Sequence, residues 1–234
     1  MTNFPNRARA VARMGYDPHS ATHRKAFLEI DVRGEITDET ADRIVAQLRA
    51  SPKARTLWIN IQSEGGSEPA GWRIYRAIRD HKAIKKVAVG RGQVASAAVL
   101  VFVSADIRRV LPGTQILLHG VECEPETRGR WTAEAFETTA ARLRRQDEKF
   151  AAELAARCEK PLAVFMARLA DETPTSLLEA QSLGLVHEVI SKTDPLSRDW
   201  PAKARAALVQ GDPRIYGAAG YKFSEQYLRA CALS

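Results

Sequence analysis

The chain has 234 residues, of which 45% are apolar and 27% are charged, and this balance excludes disordered, collagen-like and disulfide-scaffold proteins. The longest uncharged apolar stretch, residues 94–103, is shorter than the ~20 residues that a membrane helix needs. No apolar segment that could act as a signal peptide follows the Arg-bearing start of the chain. We therefore expect a cytoplasmic protein with no membrane partner.

The formal net charge of +7 comes from the two ends of the chain. Residues 27–190 contain 23 Lys and Arg against 23 Asp and Glu, whereas residues 1–25 hold five basic and one acidic side chain and residues 191–234 hold seven and four. A nucleic-acid-binding surface instead collects Lys and Arg on one folded face, so we expect no nucleic-acid partner. The pattern predicts a basic flexible arm at 1–25, one domain at 26–190 and a C-terminal extension at 191–234.

The three cysteines, Cys123, Cys158 and Cys231, are odd in number and far apart in the chain. They form no metal-ligand spacing with the five histidines, so we expect reduced thiols, no metal site and no cofactor. The sequence also has no phosphate-binding loop of the Gly-x4-Gly-Lys-Ser/Thr type. Any dependence on ATP would therefore come from a partner chain.

Hydrophobic periodicity gives the predicted elements in chain order. They are a strand at 26–32 ended by Gly34, a helix at 41–48 capped by Thr37 or Asp38, a strand at 56–61, a Gly-rich corner at 63–67, a helix at 72–78, a strand at 86–89, a Gly-containing turn at 90–96, an apolar helix at 97–103, a strand pair at 108–111 and 115–118, helices at 132–157, 162–169 and 176–182, and a last strand at 185–190. Repeated strand-strand-helix units with short links indicate an α/β fold.

The predicted helix at 132–157 is longer than a compact single domain needs. Its apolar residues fall mostly on one side, which favours packing against a neighbour over a fully solvated helix. These residues are Ala135, Phe136, Ala140, Leu143, Phe150 and Leu154.

Ser96 is the leading candidate for a reactive side chain. It follows a strand and a Gly-containing turn and opens an apolar helix, where unpaired backbone N–H groups and partial positive charge favour a nucleophilic oxygen. A serine hydroxyl needs a base, and His119 at the end of a predicted strand is the histidine best placed to supply one. Each feature alone has a simpler explanation: Ser96 as a helix cap, His119 as a hydrogen-bonded strand-end residue, and Gly65-Gly66 as a tight turn.

Taken together, the motifs resemble ClpP, the proteolytic subunit of the ATP-dependent Clp protease. The matching segments are Gly34-Glu-Ile-Thr-Asp38, Ile61-Gln-Ser-Glu-Gly-Gly-Ser-Glu-Pro-Ala-Gly71, Gly92-Gln-Val-Ala-Ser96, Leu111-Pro112 with Ile116-Leu-Leu-His119, and Ala180-Gln-Ser-Leu-Gly-Leu-Val-His187. The resemblance covers residues 27–190. Where the family has Met-Gly after the serine and Gln-Pro after the histidine, this chain has Ala97-Ala98 and Gly120-Val121, which is typical of a divergent member, of the phage or prophage type.

The resemblance implies a ClpP/crotonase-like fold of repeated β-β-α units, with a handle helix projecting at 132–157. It makes Ser96 the nucleophile, His119 the general base, and the N–H groups of Gly66 and Ala97 an oxyanion hole. The family's third triad residue aligns with Glu172, and Asp171 is one position earlier. Either carboxylate could therefore orient His119.

The resemblance also implies an activity and partners. It predicts a serine endopeptidase, a hydrolase that cuts peptides or unfolded proteins inside a homo-oligomeric chamber of stacked rings fed by a ring ATPase of the Clp type. Two alternatives stay open: a catalytically silent ring or scaffold protein, and a crotonase-type acyl-CoA enzyme that shares the fold and its oxyanion-hole glycines.

Overall fold

The computed structural model describes residues 27–123 and 132–190. These residues contain seven strands and six helices. The strands are β1 (Phe27–Ile36), β2 (Thr56–Gly66), β3 (Lys85–Ala95), β4 (Ile107–Val110), β5 (Gln115–Leu117), β6 (Pro174–Thr175) and β7 (Glu188–Val189). The helices are α1 (Asp38–Ala50), α2 (Glu68–Asp80), α3 (Ala97–Val103), α4 (Ala133–Cys158), α5 (Leu162–Asp171) and α6 (Leu177–Ser182).

A largely parallel sheet forms the centre of the molecule. Its main order is β1-β2-β3-β4-β7, and β5 pairs with β3 on one side and with β6 on the other. Every pairing is parallel except that of β5 with β6. Strands covered on both faces need continuous apolar sequence, and residues 56–61 of β2 are all buried. The observed mixed α/β fold agrees with the predicted fold class.

The first three strands are longer than predicted, and their pairings contain irregularities. The β1–β2 register shifts between Arg33 and Glu35, and the β2–β3 register shifts between Ile61 and Ser63. Beyond these shifts β1, β2 and β3 continue to Ile36, Gly66 and Ala95, whereas the sequence predicts strand ends at 32, 61 and 89. The prediction that Gly34 ends the first strand is wrong, because β1 passes through Gly34 in a left-handed conformation and continues to Ile36.

Strand β3 pairs with two different strands along its length. Residues Val87–Gly90 pair with β4, and residues Gln93–Ala95 pair with β5. The strands predicted at 108–111 and 115–118 are both present, but each pairs with β3. The last predicted strand is shorter than expected, since only Glu188 and Val189 pair with β4.

Polar caps fix where the main helices begin. Thr37 caps α1 by accepting a hydrogen bond from the Thr40 N–H at 3.3 Å, which selects it over Asp38. Ser67 and Thr132 cap α2 and α4 in the same way. A cap of this kind is worth about 1 kcal/mol, so the short polar residues before each apolar pattern set the helix starts.

Helix α4 spans the predicted range, but part of its apolar side packs inside its own subunit. Phe150 and Leu154 are buried in the central core with Ala151, so the prediction that these two pack against a neighbour is wrong. Near the start of the helix, Phe136 is 54% exposed. The first half of α4 therefore extends away from the core, as the handle prediction requires.

Two cysteines can be located, and both are free thiols: Cys123 is exposed and Cys158 is buried. Cys231, the basic arm and the C-terminal extension lie outside the described residues. Within the described ranges, we find no helix that combines the length and the apolar character needed to cross a membrane.

Candidate active site

Ser96 occupies a strained backbone position between β3 and α3. Its φ of 52° and ψ of −127° lie outside the regions that non-glycine residues normally adopt. Its side chain makes no capping hydrogen bond to the helix that follows, so the cap interpretation of Ser96 is not supported. A strained serine at a strand-to-helix turn is the arrangement that exposes the nucleophile of many serine hydrolases.

Pairing of β3 with β5 brings the candidate base close to Ser96. Ala95 is opposite Leu117 in the ladder, and the Ser96 N–H donates to the Leu117 carbonyl at 3.0 Å. His119 is two residues beyond that carbonyl, so one short ladder carries both side chains to the same end of β3. The His119 side chain is 23% exposed, and its Nδ1 lies 2.7 Å from the Gly120 carbonyl oxygen.

The four residues predicted to act together line one cleft of about 700 Å³. Ser96, His119, Gly66 and Ala97 all contribute to its surface, and α2 and α4 supply the facing walls. We call this cavity the Ser96 cleft. A cavity of this size accommodates several residues of a peptide or a drug-sized ligand.

Gly66 is required by its contact with β1. Its φ is +134°, and a β-carbon there would lie 2.6 Å from the carbonyl oxygen of Ile36 and 2.9 Å from its nitrogen. No side chain fits at this distance, so glycine keeps the β2 backbone against β1 at the edge of the cleft. The N–H of Ala97 is at the first position of α3, where a helix leaves its backbone donors without intrahelical partners.

Asp147 holds the segment that follows His119, a contact that the sequence did not predict. Its Oδ1 accepts a hydrogen bond from the Val121 N–H at 2.6 Å, which ties the segment after His119 to the middle of α4. In the sequence, Asp147 is one of many charged residues in a long Ala-, Glu- and Arg-rich helix. Nothing in that pattern separates it from the solvated positions around it.

The two candidate third triad residues are near β5 but do not line the Ser96 cleft. Asp171 is bound to Arg168 and accepts a hydrogen bond from Thr173 Oγ1 at 3.0 Å. Glu172 ends α5 in a left-handed conformation with a φ of 54°. In the antiparallel pairing of β5 and β6, Leu117 is opposite Pro174, so the end of α5 lies beside the strand that leads to His119. A different carboxylate lies next to the imidazole: Glu122 Oε1 is 3.7 Å from His119 Nδ1.

No group of three or more His, Cys, Asp or Glu side chains with a metal-binding arrangement occurs in the described part of the chain.

Comparison with known proteins gives a consistent result. The family described as Clp protease matches residues 16–193. A relative from Treponema pallidum, "ATP-dependent Clp protease proteolytic subunit 2", is 30% identical over 76% of this chain and 88% of its own length. "ATP-dependent Clp protease proteolytic subunit 3" of Rhizobium johnstonii is 30% identical over 72% of this chain and 84% of its own.

A solved structure of a ClpP1 mutant from Listeria monocytogenes has a similar fold. The superposition has a TM-score of 0.62 at 26% sequence identity and covers 75% of this chain and 96% of that one. The fold and the strained serine turn therefore define a protein with the architecture of ClpP. This chain belongs to the Clp protease family.

Proposed function

We propose that this chain is a serine peptidase subunit in which Ser96 attacks a peptide carbonyl and His119 accepts its proton. The observation that carries the proposal is the β3–β5 ladder, which joins a strained serine and a histidine at one cleft. The relatives' description as proteolytic subunits agrees with it, and the family match favours a peptidase over an acyl-CoA enzyme.

The contact of His119 Nδ1 supports its role as the base. A proton on Nδ1 can be donated to the Gly120 carbonyl 2.7 Å away, which leaves the lone pair on Nε2. In that tautomer Nε2 takes the Ser96 proton as Oγ bonds to the substrate carbon, and then gives it to the leaving amine. Water then takes the place of the amine. His119 removes a proton from water as the water oxygen bonds to the acyl carbon, and returns the proton to Ser96 Oγ as the ester bond breaks.

Backbone donors are proposed to stabilise the tetrahedral oxyanion. Gly66 and Ala97 line the Ser96 cleft, and their N–H groups are the donors that we assign to the oxyanion. Loss of one such donor costs about 3 kcal/mol of activation free energy. For the orienting carboxylate we favour Glu172 over Asp171. Glu172 is the position that aligns with the family's third triad residue, whereas Asp171 is already bound to Arg168 and Thr173.

Labelling with a fluorophosphonate probe tests the serine assignment. We expect the probe to modify Ser96, Ser96→Ala to abolish labelling, and His119→Gln to reduce it by several orders of magnitude. Ser104→Ala is the matched control, because Ser104 follows the other end of α3 and its hydroxyl bonds to the Val101 carbonyl. Assembly without labelling would instead support the silent ring, and calorimetric binding of an acyl-CoA would support the crotonase-type alternative.

We further propose that the subunits assemble into stacked rings and that a separate ring ATPase delivers unfolded chains. Large apolar side chains on the surface support assembly, namely Phe136 at 54% and Leu178 at 80% exposure. The curated relatives are described as ATP-dependent, whereas this sequence lacks a nucleotide-binding loop. Light scattering of the purified full chain tests the ring, and degradation of an unfolded protein with an added Clp ATPase tests the partner.

A further inference from the structure

Glu68 is a fixed carboxylate in the wall of the Ser96 cleft. It is half-buried at the first position of α2. Its Oε1 accepts from Trp72 Nε1 on the same helix, and its Oε2 accepts from Gln146 Nε2 on α4 at 3.0 Å. Two helices therefore hold the carboxylate in place, so a substrate group that binds it does not have to order it first.

The described residues that line the cleft carry an excess of negative charge. Among the described residues, Glu35, Glu64, Glu68 and Glu122 line it against a single arginine, Arg142. Lys149 and Arg76 lie over the Trp72 ring, with the Lys149 ammonium 4.1 Å from the ring centroid, but neither residue lines the cleft. Because residues 27–190 are neutral in total, the described part of the lining is more acidic than the domain to which it belongs.

The remaining surface near Glu68 is apolar. Trp72 from α2, Leu100 from α3, and Leu143 and Phe150 from α4 line the same cleft. Lysine and arginine side chains match this combination of surfaces, since their methylene stems pack on apolar surface while the charged end binds a carboxylate. A purely aliphatic substrate side chain would leave the Glu68 carboxylate without a partner among substrate atoms.

Resting on the proposed function, we infer that the Ser96 cleft selects peptides that present a lysine or arginine side chain to Glu68. Glu68 is then the specificity-determining residue, and the exposed carboxylates Glu35, Glu64 and Glu122 contribute a weaker, salt-screened attraction. The same carboxylates repel peptides rich in aspartate and glutamate.

Binding measurements in the assembled full chain test this inference independently of turnover. Fluorescent peptides that differ only in lysine or norleucine at one position are titrated against Ser96→Ala, since norleucine keeps the stem and lacks the ammonium. Hydrogen bonds to charged groups are worth about 1.5–3 kcal/mol, so at the position that meets Glu68 we expect lysine to bind about tenfold or more tightly. In Ser96→Ala with Glu68→Gln, a near-isosteric change, the ratio should fall towards one.

Asp80→Asn is the matched control, because it removes a carboxylate from the exposed opposite end of α2 and should leave the ratio unchanged. Equal binding of both peptides at every position, or a lysine preference that survives Glu68→Gln, overturns the inference. Fluorophosphonate labelling of the Ser96 form separates the two proposals. A lysine preference without labelling would support selective peptide binding and contradict the peptidase proposal. Labelling without a lysine preference would support the peptidase proposal and contradict the role of Glu68 in specificity.

Discussion

Gly65 and Ser96 are in direct backbone contact: a β-carbon on Gly65 would lie 2.6 Å from Cβ of Ser96 and 2.8 Å from the Ala95 carbonyl oxygen. Gly65 also has a φ of +104°, and its N–H donates to Ser63 Oγ at 3.1 Å. The Gly-rich corner of β2 therefore packs directly against the Ser96 turn, and the absence of a side chain at Gly65 allows the two segments to approach.

Gly65→Ala should displace Ser96 and lower the rate of fluorophosphonate labelling at least tenfold, with a loss of about 1–3 kcal/mol in unfolding free energy from strain. Gly34→Ala is the matched control. Gly34 also has a positive φ, +65°, but a β-carbon there would meet nothing within 4 Å. Equal labelling rates of the two variants would show that the contact with Ser96 does not matter.

Asp147→Ala should loosen the segment that carries His119. The Val121 N–H loses its carboxylate acceptor, and an unsatisfied donor of this kind costs about 1–3 kcal/mol. We expect slower labelling of Ser96 and a changed pH dependence of the labelling rate, because the imidazole is less well held. Glu148→Ala, one residue further along α4 and exposed, should change neither. A loss of thermal stability with an unchanged pH profile would give Asp147 a structural role alone.

Glu172→Gln should lower peptidase activity far more than Asp171→Asn. Replacing the orienting carboxylate of a Ser-His-Asp triad by its amide lowers kcat by about 10⁴, whereas Asp171→Asn mainly weakens a surface contact with Arg168. The measurement is the pair of kcat values for one peptide substrate. The reverse ranking would assign the role to Asp171, and two small effects would leave the orientation of His119 to the Gly120 carbonyl and to Glu122, whose Oε1 lies 3.7 Å from Nδ1.

The protein should lose stability as the pH falls from about 6.5 towards 4 through protonation of His187. Burial, followed by the nearby Arg108 guanidinium, lowers the pKa of His187 from its ordinary 6.5 to about 4. Although the residue as a whole is exposed, both ring nitrogens contact Arg108: Nδ1 lies 3.2 Å from its backbone nitrogen and Nε2 lies 2.9 Å from its Nη2. Because the unfolded chain binds the proton more tightly in this window, unfolding free energy rises with pH across it.

The check is the midpoint of urea unfolding measured at several pH values between 4 and 7. His187→Asn should flatten that part of the curve. His81→Asn is the control, since the His81 ring has different partners, the Ser51 carbonyl and the Ala83 N–H. An unchanged slope in His187→Asn would assign the pH dependence to other groups.

Modification of Cys123 should close the Ser96 cleft. Cys123 is exposed and lines the cavity, so a bulky maleimide on its sulfur should block labelling of Ser96. Cys123→Ser should keep its labelling after the same treatment, since it lacks the thiol that lines the cleft. Undiminished labelling of a fully modified wild-type protein would contradict this position of Cys123.

Much of the fold could be predicted because each element obeys a local rule. The buried run in β2, the polar cap at Thr37 and the apolar helix after Ser96 are set by residues next to one another in the chain. The interruption at Arg33–Glu35 and the switch of β3 from β4 to β5 could not be predicted in this way, since both depend on which strand lies alongside.

The candidate site shows the same difference between features set by neighbouring residues and features set by long-range packing. Ser96, His119 and the glycine pair are recognisable from local motifs, and the structure brings them to one cleft. Asp147 and the Glu68–Gln146 contact join residues 26 and 78 positions apart in the chain. Their sequence neighbours are those of ordinary helical charges, so only the packing of α4 across the cleft gives them a role.

The three-residue ladder between Gln93–Ala95 and Gln115–Leu117 couples the positions of Ser96 and His119. A shift of this pairing would move one side chain relative to the other without any contact to either. Under the proposed mechanism, loss of these few main-chain hydrogen bonds would separate the two groups that have to react together.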